Sequence, residues 1–247
     1  MTTGLSYAGT VAGTNSYVDQ IATMAVVSPT DSAYLTILPQ CITYAENRMY
    51  RDLDFLFTSI ATTAYGLTAG NRIIAVPAGT LVVPEQINVI TPSGTSNPDT
   101  GTRVPLLPTT KEFLDAVYGS GAVANRGTPQ YFVPFDDYTF LVGPYPDANY
   151  TCEIVGTYRP DSLSATNTTT FISLYLPDVF IMASMIYISA YQRNFGRAND
   201  DPQMAITYES QYQALLKSAL TEENRKKFEA AAWSSQSPST TATPTRG

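Results

Sequence analysis

Tyr175–Gly196 reads YLPDVFIMASMIYISAYQRNFG. From Val179 to Ala190 it carries no charge, and its only polar groups are hydroxyls and thioethers. Three arrangements produce such a stretch: a membrane span, a helix at the centre of a core, or an assembly surface. A span needs about 20 apolar residues. Here Asp178 on one side and Gln192-Arg193-Asn194 on the other bound a shorter run, so no membrane segment is expected. A helix that is apolar on every side is normally touched on several of them. The stretch therefore reads as a core helix. In a small bundle such a helix has more face than three thin partners cover, so one side is free to meet another copy.

On the C-terminal side, Asp200-Asp201-Pro202 predicts a new helix, with Asp201 as N-cap and Pro202 at the first helical position. Met204, Tyr208, Tyr212, Leu215, Leu216, Ala219 and Leu220 give it an apolar stripe, after which it turns polar. The tail SSQSPSTTATPTRG (Ser234–Gly247) offers nothing to a core and is expected to be disordered in the free protein.

Toward the N-terminus, Asp161–Thr170 reads as a polar connector. Ser16–Val27 predicts a short helix with Val18, Ile21, Met24 and Ala25 on one face. Pro29 ends it, and Asp31 caps the next. Ser32–Leu53 has amphipathic spacing at Tyr34, Leu38, Cys41, Ile42, Ala45, Met49 and Leu53. Pro39 falls inside, which requires a kink or two helices meeting there.

Between these helical ends the texture changes. Arg72–Val76, Thr80–Val83 and Gln86–Ile90 are strand candidates, and Pro84 marks an edge or a bulge. Thr91–Thr102 is a loop by composition, solvent-facing and mobile. Thr109–Tyr118 predicts a short helix. QYFVPF, YTFLVG and YTCEIVGTYR then read as a three-strand meander with turns at Asp136-Asp137 and PYPD. The fold class is α+β: a helical bundle from the N- and C-terminal helices with an inserted antiparallel β-rich subdomain. The expected divisions are 1–54, 55–160, 161–233 and a tail, 234–247.

Composition limits the chemistry. The net charge is −7, so the general surface gains nothing from displacing counterions on nucleic acid. Arg225-Lys226-Lys227 is a basic run, but Glu222, Glu223 and Glu229 flank it, as on a solvated helix face. Charged residues are only 14%, and seventeen tyrosines supply much of the polarity. Histidine is absent, which removes the commonest general base and metal ligand. Asp99, Asp136, Asp137, Asp147 and Asp161 sit in turns and do not converge; GSGAVANRG follows a helix and lacks the P-loop lysine. No catalytic residue, metal or cofactor is expected. Cys41 and Cys152 read as two buried thiols, because a chain this long needs no disulfide. The N-terminus has no basic start and no apolar run, so no signal peptide is expected.

Several motifs then follow one another: AENRMYRDLDF (Ala45–Phe55), GTPQYF (Gly127–Phe132), LVGPYPD (Leu141–Asp147), YRPDSLS (Tyr158–Ser164) and NTTTFISLYLPDVFIMASM (Asn167–Met185). In this order, over roughly Ser16–Leu220, they resemble the head-to-tail adaptor proteins of tailed bacteriophages, which attach beneath the portal. The long Thr91–Thr102 loop and the Ser/Thr/Pro tail depart from that pattern. The resemblance implies a virion neck protein, made in the host bacterial cytoplasm and assembled as a homo-oligomeric ring, a dodecamer matching the portal. Its partners would be the portal protein and a downstream tail or nozzle protein, with double-stranded DNA passing through the channel unbound. It implies a portal or subunit interface on the last helices, and Phe180, Met182, Tyr187, Tyr191, Phe228 and Trp233 are its candidates. For Trp233, merely capping the last helix is an equal reading. The alternatives are another neck component, such as a gatekeeper or tail-tube protein, or a carbohydrate-binding β-module in the Tyr/Thr/Asn-rich middle. A cell-wall hydrolase is the weakest, for want of histidine and paired acids.

Overall fold

The computed structural model describes residues 4–192 and 204–234. It is a mixed α+β protein that separates into two compact units, one built from Met1–Leu56 with Asp161–Gly247, the other from Phe57–Pro160. In chain order the first unit contributes β1 (Gly4–Ser6), β2 (Thr14–Ser16), α1 (Tyr17–Met24) and α2 (Ser32–Asp52). The second contributes β3 (Ser59–Leu67), β4 (Ile73–Ala75), β5 (Leu81–Thr91), β6 (Thr102–Pro105), β7 (Leu107–Pro108), α3 (Lys111–Val117), β8 (Tyr131–Asp136), β9 (Thr139–Gly143) and β10 (Tyr150–Tyr158). The first unit resumes with α4 (Phe171–Tyr175), α5 (Pro177–Gln192) and α6 (Met204–Ser234).

Side chains start the helices where backbone donors would otherwise be orphaned. Ser16 accepts the Asp19 N–H, and Asp31 accepts those of Ala33 and Tyr34. α2 runs unbroken through Pro39. Pro39 is exposed, opposite the buried stripe of Tyr34, Leu38, Cys41, Ile42, Ala45 and Met49, so the bond it removes faces water. The connector Asp161–Thr170 ends in a capping box, in which Thr170 accepts the Ser173 N–H and Ser173 accepts the Thr170 N–H. This starts the short helix α4. Helix then breaks at Leu176, because the residue before a proline avoids helical backbone and Pro177 opens the next helix.

α5 is the most enclosed element of its unit and touches α1, α2, α4 and α6. Val179, Phe180, Ala183, Met185 and Ile188 are buried. Its buried hydroxyls are satisfied at home: Ser184 donates to the Phe180 carbonyl at 2.8 Å and Ser189 to that of Ile186 at 3.0 Å. Tyr17 of α1 stacks on Phe180 at 4.9 Å and donates to Ser184 Oγ at 2.6 Å. The described residues include no helix long and apolar enough to cross a membrane. The expected Asp201 cap and Pro202 lie outside the described residues.

The second unit holds two four-stranded sheets, ordered β3-β10-β5-β6 and β4-β9-β8-β7. Their pairings are antiparallel except β7 with β8. Ile87, Val89, Cys152 and Ile154 from the first sheet and Ile74, Phe140 and Val142 from the second form one core. Along β9 the alternation is complete: Phe140 and Val142 enter that core, while Leu141 points the other way, to Leu114 of α3 and Val133.

The meander expected of the last three strands is corrected here. β8 and β9 do form a hairpin, with Tyr131 opposite Gly143, but β10 crosses to the other sheet, between β3 and β5. Pro144 and Pro146 lack the N–H a continuing ladder needs. Cys152, Glu153 and Ile154 are all buried, as befits a strand paired on both sides. The two candidates over 80–90 are one strand, β5, running through Pro84, where its register with β10 slips beside Gly156. A Cβ at Gly156 would collide with the Val83 carbonyl, so glycine permits the bulge. The exposed Pro92–Gly101 loop joins β5 to β6 and is tied back, with the Gly94 N–H on Asn149 O and Arg103 on Pro98 O and Asp99.

Candidate assembly surface

Four of the six candidate interface side chains are described, and they do not share one setting. Phe180 is 0% exposed and is surrounded inside its own unit, so it supports the helical core and presents no outward face. Met182 and Tyr187 are half-buried on α5, and Tyr187 meets the exposed Tyr44 of α2 at 5.6 Å. Phe228 on α6 is 81% exposed, with the buried Glu223 marking the opposite side of the helix. The side chains of Tyr191 and Trp233 lie outside the described residues. Sequence reasoning missed Tyr44, Tyr175, Ile206 and Leu220, which are also apolar and exposed in this unit. The apolar spacing of the sequence puts Leu220 on the inner stripe of α6, whereas the structure leaves it exposed. The helical period alone did not separate it from Ala219, which is the buried one.

Behind this surface the structure joins motifs that are far apart in sequence. Glu46, from AENRMYRDLDF, is 0% exposed. Its carboxyl accepts the Leu163 N–H at 3.2 Å and the Thr170 hydroxyl at 3.4 Å, so one buried acid gathers YRPDSLS and NTTTF. Burial pushes its pKa up to about 7, against the opposing pull of the donors from Ser162, Leu163 and Thr170. Phe55 closes the same cluster edge-on to Tyr50 and Phe171.

Two residues on from Glu46, Arg48 clasps α6. Its guanidinium donates to both oxygens of Glu209, at 2.7 and 2.5 Å, and lies over the Tyr212 ring at 4.5 Å. Tyr212 donates to Asp52 at 2.8 Å. The fork from Arg48 holds Glu209 below the usual carboxylate range. Farther along, Glu223 accepts the Leu56 N–H at 3.4 Å and pairs with Lys226 at 2.8 Å, and Lys227 pairs with Asp54. Arg225-Lys226-Lys227 is thus largely committed to acids of its own unit.

In the second unit the motifs GTPQYF and LVGPYPD meet each other: the Gly127 N–H donates to Tyr145 O and the Gln130 N–H to Gly143 O. A depression of about 570 Å³ is lined by Ile73, Phe135, Leu141 and Tyr145 together with Arg72, Lys111 and Asp136. Both cations are drawn to Asp115, at 2.8 and 2.6 Å. The described residues include no cluster of His, Cys, Asp or Glu suited to a metal ion. Cys41 and Cys152 are buried free thiols whose pKa values burial pushes up to about 11 and about 12, away from reactivity. Among its described residues the first unit presents exposed apolar side chains, Phe228 foremost.

The family model for the SU10 adaptor protein matches residues 16–240, nearly the whole chain. This protein belongs to the SU10 adaptor family. It is thus a phage structural adaptor, as the ordered motifs suggested. The match takes in parts of both units and every motif quoted above, including the buried cluster around Glu46. No curated protein matches this SU10 adaptor family member.

Proposed function

We propose that the protein forms an adaptor ring beneath the portal, joins the DNA-filled head to the tail and extends the DNA channel. The observation that carries this reading is the exposed apolar set on the helical unit of a family of adaptors, led by Phe228. Large, weakly charged aromatic surface is what protein interfaces are made of. Phe228, Met182 and Tyr187 are the proposed contacts to the portal or to neighbouring copies, with Tyr44 extending the patch beside Tyr187. The helices of the first unit act as a bundle that carries this surface, and the β unit offers a docking face to the next tail component. The acidic balance suits a channel through which DNA slides without sticking. Electron microscopy of the protein mixed with its portal tests the proposal. Dodecameric collars are expected, and portals without added density would overturn it.

A further inference from the structure

The chain leaves the helical unit after Leu56 and returns at Asp161. Each crossing is fixed by one apolar plug and one buried carboxylate. On the way out, Leu53 and Phe55 are 2% exposed, and the Leu56 N–H reaches Glu223. On the way back, Leu163 is 2% exposed and its N–H reaches Glu46. The two carboxylates differ in one respect. Glu223 is met by Lys226 at 2.8 Å, whereas no cation pairs with Glu46 among the described residues.

The groups around Glu46 are neutral. Leu163 and Thr170 donate from the connector, Tyr17 of α1 and Tyr50 of α2 are the titratable neighbours, and burial raises the pKa of both phenols. α5 and α6 set no charged partner against it among the described residues. A neutral carboxyl fits this setting: its carbonyl oxygen still accepts the Leu163 N–H at 3.2 Å and the Thr170 hydroxyl at 3.4 Å, with no buried charge. An ionised one is a buried charge without a counter-ion, which is strongly disfavoured.

We infer that Glu46 is a proton-gated tether for the return crossing: neutral, it holds residues 161–170 closed on α2, and ionised, it lets them open to water. The outgoing crossing, held by the ion-paired Glu223, does not respond to that proton. The sign follows from linkage. The closed-state pKa of about 7 lies above the ordinary value of 4.5 that the group regains on opening, so opening is favoured as pH rises. Between the ordinary value of 4.5 and the closed-state midpoint the open population grows about tenfold per pH unit, and it levels off above that midpoint.

Amide hydrogen exchange on the full chain between pH 5 and 8 tests this. The protection factor of the Leu163 amide is expected to fall by up to about tenfold per unit between pH 5 and 7 in the wild type and to level off above pH 7. It stays flat in Glu46→Gln, and Leu56 stays flat in both. Equal slopes in wild type and variant, or a flat wild-type Leu163, would overturn the inference. Carbon-13 titration of the wild-type Glu46 carboxyl decides independently of any variant: a midpoint near 7 supports it, and one in the ordinary carboxylate range sinks it.

Discussion

Replacing Phe180 by alanine separates a core role from an assembly role. The ring is fully enclosed and stacked on Tyr17 at 4.9 Å, so its removal loses both burial and an aromatic contact. Truncations of buried phenylalanine cost about 3–5 kcal/mol, transfer and cavity together. The upper half applies here, since α5 is packed on several sides and closes such a cavity poorly. With a urea m-value of about 2 kcal/mol/M, the midpoint of the helical unit falls by roughly 2 M. Cys41, buried in α2, reports that unit directly: a thiol reagent labels it only on unfolding, and labelling moves to lower urea in the variant. A loss below about 1 kcal/mol would refute the core assignment, because a side chain reserved for a partner leaves the isolated chain unharmed.

Other perturbations follow from the same contacts. A double-mutant cycle of Arg48→Ala and Glu209→Ala is expected to show coupling of about 1 kcal/mol near neutral pH in denaturant titrations. Glu209 has a depressed pKa, so this stability exists above its unfolded value and is lost as pH falls through the acid range. Gly156→Ala forces a Cβ onto the Val83 carbonyl and is expected to cost the β unit about 2 kcal/mol, read by the labelling of Cys152 in urea. Phe228→Asp is expected to leave stability within about 0.5 kcal/mol while abolishing portal binding in a pull-down, because its ring has little to lose in the free chain.

How far the residues themselves foretold this fold varies with their patterning. α2 was legible because Asp31, an amphipathic stripe and an exposed proline all agree. α5 was legible as a core helix because it has no polar face at all. β3 was not: SIATTAYGL is largely exposed, with only Leu67 buried, and an edge strand of alanine and threonine carries little apolar alternation. The placement of β10 was illegible for another reason. YTCEIVGTY has strand character, but no local signal distinguishes pairing with β9 from pairing with β3 and β5. A carboxylate is by default a surface group, so nothing local marks Glu46 as buried. Its burial depends on donors more than a hundred positions later, at Leu163 and Thr170.

The mass of the assembled particle bears most directly on the whole account. Purified portal mixed with this protein, weighed by native mass spectrometry, should gain the mass of a full dodecamer, and the Phe228→Asp chain should add none. A portal whose mass is unchanged by the wild-type chain, or that takes up scattered single copies, would contradict the proposal that this protein is the ring joining head to tail.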